Sequence, residues 1–258
     1  MNVVVMLKQV PDTETKIRIT ADKSGIEKGD IKWIINPYDE YAIEEGLKIK
    51  EGLKAGTVTV VTMGPDRCVE ALRTAIAMGA DNAIHIKEAT EASDPFVIAQ
   101  ALSAAIKKEN PEIVLCGKQA IDDDGSAVSG YVAELLNIPS VSVVVKIAIG
   151  PDKKDAKAER EVEGGAKHVV HCPLPALFAV NKGINTPRYA SLPGIMKAKK
   201  KEIKTYSLQD LGVTAAATMT EAGYELPPER KAGKKIAGDT ATQATELARL
   251  LREEAKVI

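Results

Sequence analysis

The chain has 258 residues, 45% of them hydrophobic, which is enough to bury one sizeable core and excludes an intrinsically disordered protein. Its 35 basic and 36 acidic side chains nearly cancel, and a net charge of -1 gives no general attraction to nucleic acid or to an anionic membrane. Because no long apolar run and no leader pattern is present, we expect a cytoplasmic protein that does not insert into a membrane.

Short runs of β-branched residues alternate with helical patterns along the first half of the chain. The runs predict strands at residues 2–8, 57–63, 82–87 and 112–117. Apolar residues at helical spacing predict helices within residues 36–52, 65–80 and 94–109. Asn36 and Asp94, each followed by proline, are predicted to cap two of these helices. The alternation is typical of an α/β protein in which helices cover a mostly parallel sheet.

The alternation of strand and helix patterns ends after Pro139. Further strands are predicted in residues 140–149, 157–172 and 175–180. With a hairpin turn at Gly164 and Gly165, they form a β-rich extension of the same domain, which we place at residues 1–214. Residues 215–258 have the composition of an extended arm followed by a terminal helix, and such a helix needs another surface to pack against.

Three loops are predicted to meet at one edge of the sheet. The carboxyl ends of parallel strands lie at the same edge, so residues 6–8, 63–65 and 117–128 should gather there. The helix that starts after Asn36 could join them. The sequence contains neither a P-loop nor a G-x-G-x-x-G motif. Backbone N–H groups at a helix start can hold a nucleotide without either motif, so this edge is the candidate ligand site.

Three consecutive carboxylates, Asp122–Asp124, lie where the fourth strand gives way to a helical pattern. Capping of that helix would account for one or two of them, at about 1 kcal/mol each. Three carboxylates are more than the cap of one helix can use. The small residues Gly125 and Ser126 also leave the neighbouring backbone open to a ligand. The residues alone leave helix capping and a ligand loop as alternatives.

Several stretches resemble the β subunit of electron transfer flavoproteins. They are "NPYDEYAIEE", "ALRTAIAMGAD", "GKQAIDDD", "REVEGG" and "NKGINTPRYASLPGIMKAKKK", and the resemblance covers essentially the whole chain. It implies an adenine-nucleotide hydrolase-like, Rossmann-like α/β fold. It also implies a heterodimer with an α subunit that holds most of the FAD, while the β subunit performs no bond-making chemistry of its own. The terminal helix would then pack on the α subunit.

The resemblance also implies a structural AMP in this subunit. The matching positions are Met6, Asn36, Pro37, Tyr38, Asp39, Met63, Gly117, Lys118, Gln119, Ala120, Ile121, Asp122, Asp123, Asp124, Gly125, Ser126, Ala127 and Val128. Ala127 and Ser129 match neither conventional relatives, which continue with Asn, Gln, Thr and Gly, nor bifurcating relatives, which bind a second FAD there and oxidise NADH. Val128 resembles the bifurcating group, whereas the "PRYASLPGIMKAKKK" stretch resembles the conventional one. We favour AMP, with a second FAD as the alternative.

A docking loop for acyl-CoA-type dehydrogenases of fatty acid oxidation is implied within residues 180–202. Its predicted contact residues are Tyr189, Leu192, Pro193, Ile195, Met196, Lys197 and Lys200. Leu192 would be the apolar anchor, and the lysines would steer an acidic partner surface toward it. Electrons would pass through the FAD to a quinone oxidoreductase.

Other functional classes of protein fit the sequence less well. The "KAKKK" run lacks the interleaved aromatic residues of a nucleic-acid site. The three histidines and three cysteines have neither metal-ligand nor disulfide spacing, so no metal site is expected and the cysteines should be core residues. A stand-alone adenine-nucleotide-binding module of the same fold, without a redox partner, remains an alternative.

Overall fold

A nine-stranded sheet forms the centre of the computed structural model, which describes residues 1–88, 94–214, 216–229 and 232–258. Its strands are β1 (Asn2–Met6), β4 (Thr57–Gly64), β5 (Asn82–Lys87), β6 (Ile113–Gly117), β7 (Ser140–Ile149), β8 (Asp155–Glu161), β9 (Lys167–Pro173), β10 (Ala176–Val180) and β11 (Lys204–Ser207). Strands β2 (Gln9–Pro11) and β3 (Trp33–Ile35) pair separately. The helices are α1 (Pro37–Leu53), α2 (Cys68–Met78), α3 (Pro95–Glu109), α4 (Val128–Leu136), α5 (Leu192–Lys200) and α6 (Thr240–Glu253).

The strand order is β11-β5-β4-β1-β6-β10-β7-β8-β9. Pairing is parallel from β11 to β7, and β8 and β9 extend the sheet in antiparallel fashion. The α/β class and the mostly parallel sheet predicted from the sequence are therefore confirmed.

Core residues cover both faces of the sheet, because successive side chains of a strand point to opposite sides. Val3 and Val5 of β1 pack in the cluster that contains α1, α2 and Ala198 of α5. Val4 and Met6 pack in the cluster that contains α3 and α4. Helices thus lie on both faces, as a buried parallel sheet requires.

Strand β10 lies in a different place from the one that the sequence indicated. We expected the run at residues 175–180 to belong to the β-rich extension, but it pairs in parallel between β6 and β7. All five of its residues are buried, and only a central position covers both faces of such a strand. The hairpin turn was predicted correctly: Gly164 and Gly165, between β8 and β9, have φ of 77° and 78°, values that favour glycine.

The described residues of the C-terminal part contact the rest of the chain at Asp94 and at Lys23. Thr218 and Met219 donate backbone N–H groups to Asp94, at 2.7 and 3.2 Å, and Asp94 also caps α3 through Phe96 as expected. No residue of α6 is buried. The division at residues 214 and 215 stays a prediction. Within the ranges described above, no helix is long and apolar enough to cross a membrane.

Arg188 fixes the segment between β10 and α5 to helix α1. Its Nε and Nη2 donate to Glu44 at 2.8 and 3.0 Å, and its backbone N–H donates to the same carboxylate at 3.1 Å. Its Nη1 reaches Glu51 at 2.6 Å. Asn185, from the same segment, donates to Glu45 at 2.9 Å. Because Glu44 is buried, Arg188 supplies the cation that this carboxylate needs.

Replacing Arg188 with methionine should lower the free energy of unfolding by about 2 kcal/mol, because Glu44 would stay buried without its cation. Urea unfolding at neutral pH measures the change. Arg249→Met is the matched control: Arg249 pairs with Glu246 and Glu253 on the exposed helix α6, and its loss should leave unfolding unchanged. Equal losses in the two variants would contradict the structural role given to Arg188.

Candidate functional site

The sheet has a topological switch point between β1 and β6. From β1 the chain adds β4 and then β5 on one side, and it returns to place β6 on the other side. Open α/β sheets bind ligands in the crevice that forms beyond the carboxyl ends of the strands at such a point. The residues that follow β1 and β6 therefore border the candidate ligand site.

Asp39 bridges the two strands at this switch point. It lies in the first turn of α1, and its carboxylate accepts the backbone N–H of Lys8, just after β1, at 2.8 Å. It also accepts the N–H of Gly117, the last residue of β6, at 2.7 Å. Asp39 is buried, and burial raises its pKa from the ordinary 3.8 to about 7, although the two N–H donors act in the opposite direction.

Gly117 has no room for a side chain. A Cβ atom at this position would lie 2.5 Å from Cβ of Tyr38 and 2.7 Å from the Asp39 carboxylate. Only glycine lets the end of β6 come this close to the start of α1.

The prediction that the Asn36 side chain caps α1 was wrong. Asn36 precedes α1, but its side chain does not cap that helix. Its amide donates to the carbonyl of Gln119 at 2.9 Å and accepts the N–H of Ile121 at 3.3 Å. Asn36 therefore ties the start of α1 to the loop that follows β6.

The acidic run does not cap α4, so the capping interpretation was wrong. Helix α4 begins at Val128 after Ala127, and no side chain caps it. Asp122 and Asp123 instead accept hydrogen bonds from Nζ of Lys8, at 2.9 and 3.0 Å. The run ends several residues before the helix, and its carboxylates reach back across the switch point to the end of β1.

The remaining hydrogen bonds of the acidic run stay within the loop. Asp123 accepts the N–H of Gly125 at 3.0 Å, and Asp124 accepts a hydrogen bond from the Gln119 amide. Asp124 and Ser126 have φ of 50° and 52°, in the left-handed region that non-glycine residues seldom adopt. Strained backbone of this kind is concentrated at ligand sites. The loop thus folds on itself and leaves the first N–H groups of α4 without a side-chain cap.

Burial by itself would lower the pKa of Lys8, but hydrogen bonds and charges from Asp122 and Asp123 outweigh it and raise that pKa. The amine therefore stays protonated at neutral pH. Lys8 was absent from the predicted ligand residues, although its place directly after the first strand was a usable signal.

Two predicted residues, Met6 and Met63, lie on the face of the sheet that α3 and α4 cover. Met6 is buried there and Met63 is partly buried. Tyr38 lies in the first turn of α1 and Lys118 directly follows β6, with Nζ of Lys118 5.2 Å from the Tyr38 ring centre. The structure therefore brings residues 36–39 and 117–126 together by direct bonds, and it places the two methionines in the adjacent core.

The predicted docking residues lie together on the surface at α5. Tyr189 and Leu192 are 96% and 77% exposed, and Ile195 and Met196 are exposed as well. Ser191 caps the helix through the N–H of Gly194. A Cβ at Gly194 would lie 2.3 Å from the carbonyl of Ala77, so α5 packs directly on α2. A rigid helix thus presents a group of exposed apolar side chains next to lysines.

Among the residues that the structure describes, no cluster of metal-ligating side chains occurs. Cys68, Cys116 and Cys172 are free and buried, as predicted for core residues. His85 is buried and bonds to the carbonyl of Gly64 at 2.8 Å.

Asp39 should make the stability of the protein depend on pH. In the folded state Asp39 keeps its proton up to about pH 7, whereas the unfolded chain releases it near 3.8. The stability that this proton contributes is therefore lost as the pH rises through this window, by about 2 kcal/mol between about pH 5 and pH 7. Urea unfolding of the protein and of Asp39→Asn should show that the variant lacks this slope. Parallel pH profiles would assign the slope to another group.

A second prediction compares two glycines of the site. Gly117→Ala should lower the free energy of unfolding by about 3 kcal/mol, because the new methyl group overlaps Tyr38 and Asp39. Gly125→Ala is the matched control, since a Cβ there meets no other residue closer than the Asp123 carboxylate at 3.5 Å. Thermal unfolding measures both variants. A stable Gly117→Ala protein would show that the start of α1 can move away from β6.

Comparisons with known proteins agree with this architecture. The family model of the electron transfer flavoprotein domain matches residues 25–211. The chain is 43% identical to electron transfer flavoprotein subunit beta of Bacillus subtilis strain 168, over the full length of both chains. It is 40% identical to the mitochondrial subunit beta of Arabidopsis thaliana, again over both full lengths, and 38% identical to subunit beta of Mus musculus over 92% of each chain. The chain belongs to the electron transfer flavoprotein β-subunit family.

Proposed function

We propose that this chain is the AMP-binding and dehydrogenase-docking subunit of a conventional electron transfer flavoprotein. Membership of the family implies a role in electron transfer, association with flavin and an α-subunit partner. In the proposed complex the FAD, held mainly by the α subunit, supplies the redox chemistry between an acyl-CoA-type dehydrogenase and a quinone oxidoreductase. The present chain binds AMP, positions its partners and supplies no acid or base.

One observation carries the nucleotide part of the proposal. The switch point between β1 and β6 is bordered by a loop that leaves the start of α4 uncapped. Free N–H groups and the positive end of a helix dipole favour a phosphate at such a place. Gly125 leaves open space beside that start, because a Cβ there would meet only the side chain of Asp123. The residues present therefore fit a nucleotide phosphate.

The docking part rests on exposed apolar side chains. Leu192 and Tyr189 project from a segment that Arg188 and Asn185 fix to α1, so the surface is preorganised. Large exposed apolar groups of this kind mark transient interfaces. Lys197 and Lys200 add positive charge at the rim, which raises the rate of encounter with an acidic partner.

Exposed apolar residues on α6 support the heterodimer. Leu247 is half exposed, and no residue of the helix is buried by the rest of the chain. An amphipathic helix that the described part of the chain leaves without a buried residue is accounted for by packing on the α subunit.

The first test is the nucleotide content of the complex purified with its α subunit. We expect one FAD and one AMP per heterodimer, measured by chromatography after the protein is denatured. Two FAD and no AMP would replace the AMP proposal with a bifurcating flavoprotein. A chain that retains no α subunit and binds ATP as a monomer would support a stand-alone nucleotide-binding module.

Truncation of Leu192 should impair docking without changing the flavin. Leu192→Ala is expected to slow electron transfer from the dehydrogenase at least about tenfold, because an apolar anchor at the centre of an interface carries much of its binding energy. Stopped-flow reduction by the dehydrogenase measures this, and photoreduction of the FAD should be unchanged. Val169→Ala is the control, since Val169 is also exposed but lies on β9. Equal rates in all three proteins would remove Leu192 from the interface.

A further inference from the structure

We propose that Lys8 is a positioning residue for phosphate recognition: it neutralises Asp122 and Asp123 and holds their loop so that the start of α4 can accept a phosphate. The proposal rests on the AMP-binding function proposed above and assigns a role to a residue that was absent from the predicted nucleotide contacts.

Lys8 connects three parts of the site. Its backbone N–H donates to Asp39 at 2.8 Å, and its carbonyl accepts the N–H of Asn36 at 2.9 Å. Its Nζ lies 2.8 Å from one oxygen of Asp122 and 3.0 Å from one oxygen of Asp123. The main chain of Lys8 is thus fixed by α1, and its side chain fixes the acidic loop.

The charge of the loop makes this cation necessary for an anionic ligand. Asp122–Asp124 carry three negative charges within a few residues of the start of α4. Among the residues that the structure describes, Lys8 is the one cation that forms an ion pair with this run. Without it the carboxylates would repel a phosphate, and at short range in a crevice this repulsion is only partly screened.

A purely structural role for Lys8 makes a different prediction. If Lys8 only held the loop in shape, its loss would weaken every part of nucleotide binding. If it neutralises the carboxylates, its loss weakens binding of the phosphate far more than binding of the nucleoside. The ratio of the affinities for AMP and adenosine separates the two roles.

The experiment uses the heterodimer after removal of its own nucleotide, with labelled AMP and labelled adenosine in equilibrium dialysis. Lys8→Met should weaken AMP binding about tenfold and adenosine binding less than about twofold. Lys8→Arg should restore AMP binding to within about threefold. In the Asp122→Asn/Asp123→Asn background, adding Lys8→Met should cause no further loss of AMP affinity, because the charges that Lys8 neutralises are absent.

Equal losses for AMP and adenosine in Lys8→Met, or unchanged binding of both, would overturn the inference while the AMP-binding function stands. An unmodified heterodimer that binds no AMP would instead remove that function and this inference with it. If the Lys8→Met chain does not assemble with the α subunit, the Asp122→Asn/Asp123→Asn variant tests the neutralising role instead. It should bind AMP at least as tightly as the unmodified heterodimer relative to adenosine, and a selective loss of AMP binding would refute the neutralising role.

Discussion

The buried carboxylate of Asp39 is the interaction on which the geometry of the site depends. It accepts N–H groups from the ends of β1 and β6, the two strands that flank the topological switch point. A buried carboxylate is costly unless it is hydrogen-bonded or protonated, and its raised pKa shows that burial dominates over the two donors. This close junction explains why Gly117 cannot carry a side chain. The first turn of α1 thereby fixes the end of β6, from which the acidic loop starts.

Helix α1 also links the two surfaces of the proposed function. Its start holds the loop after β6 through Asn36 and Asp39, and Glu44 and Glu51 farther along hold Arg188 at the root of the docking segment. A helix of 17 residues is about 25 Å long, and its buried face packs against β1 and β6. One helix therefore contacts both the proposed nucleotide site and the proposed docking surface.

The sequence predicted the elements better than the bonds between them. Apolar periodicity predicted the strands and helices of the first half, because burial on a sheet or under a helix leaves a local pattern. Periodicity could not place β10 in the sheet. All five of its residues are apolar and buried, and such a run looks the same in a central strand as in the β-rich extension. The capping interpretation of Asp122–Asp124 failed for a similar reason. The strand pattern placed Lys8 at the correct edge of the sheet, but no local pattern could pair it with Asp122, 114 residues later.

The hydrogen bonds that the three carboxylates accept determine whether the first N–H groups of α4 are left for a ligand. Had Asp124 or its neighbours capped α4, they would have occupied the N–H groups that a phosphate needs. Their bonds to Lys8, Gly125 and Gln119 keep them in the loop instead, and the N-terminus of α4 stays uncapped. An acidic run beside the proposed phosphate site is then no contradiction, because the cation at the end of β1 balances part of its charge while its hydrogen bonds hold the loop in a strained conformation.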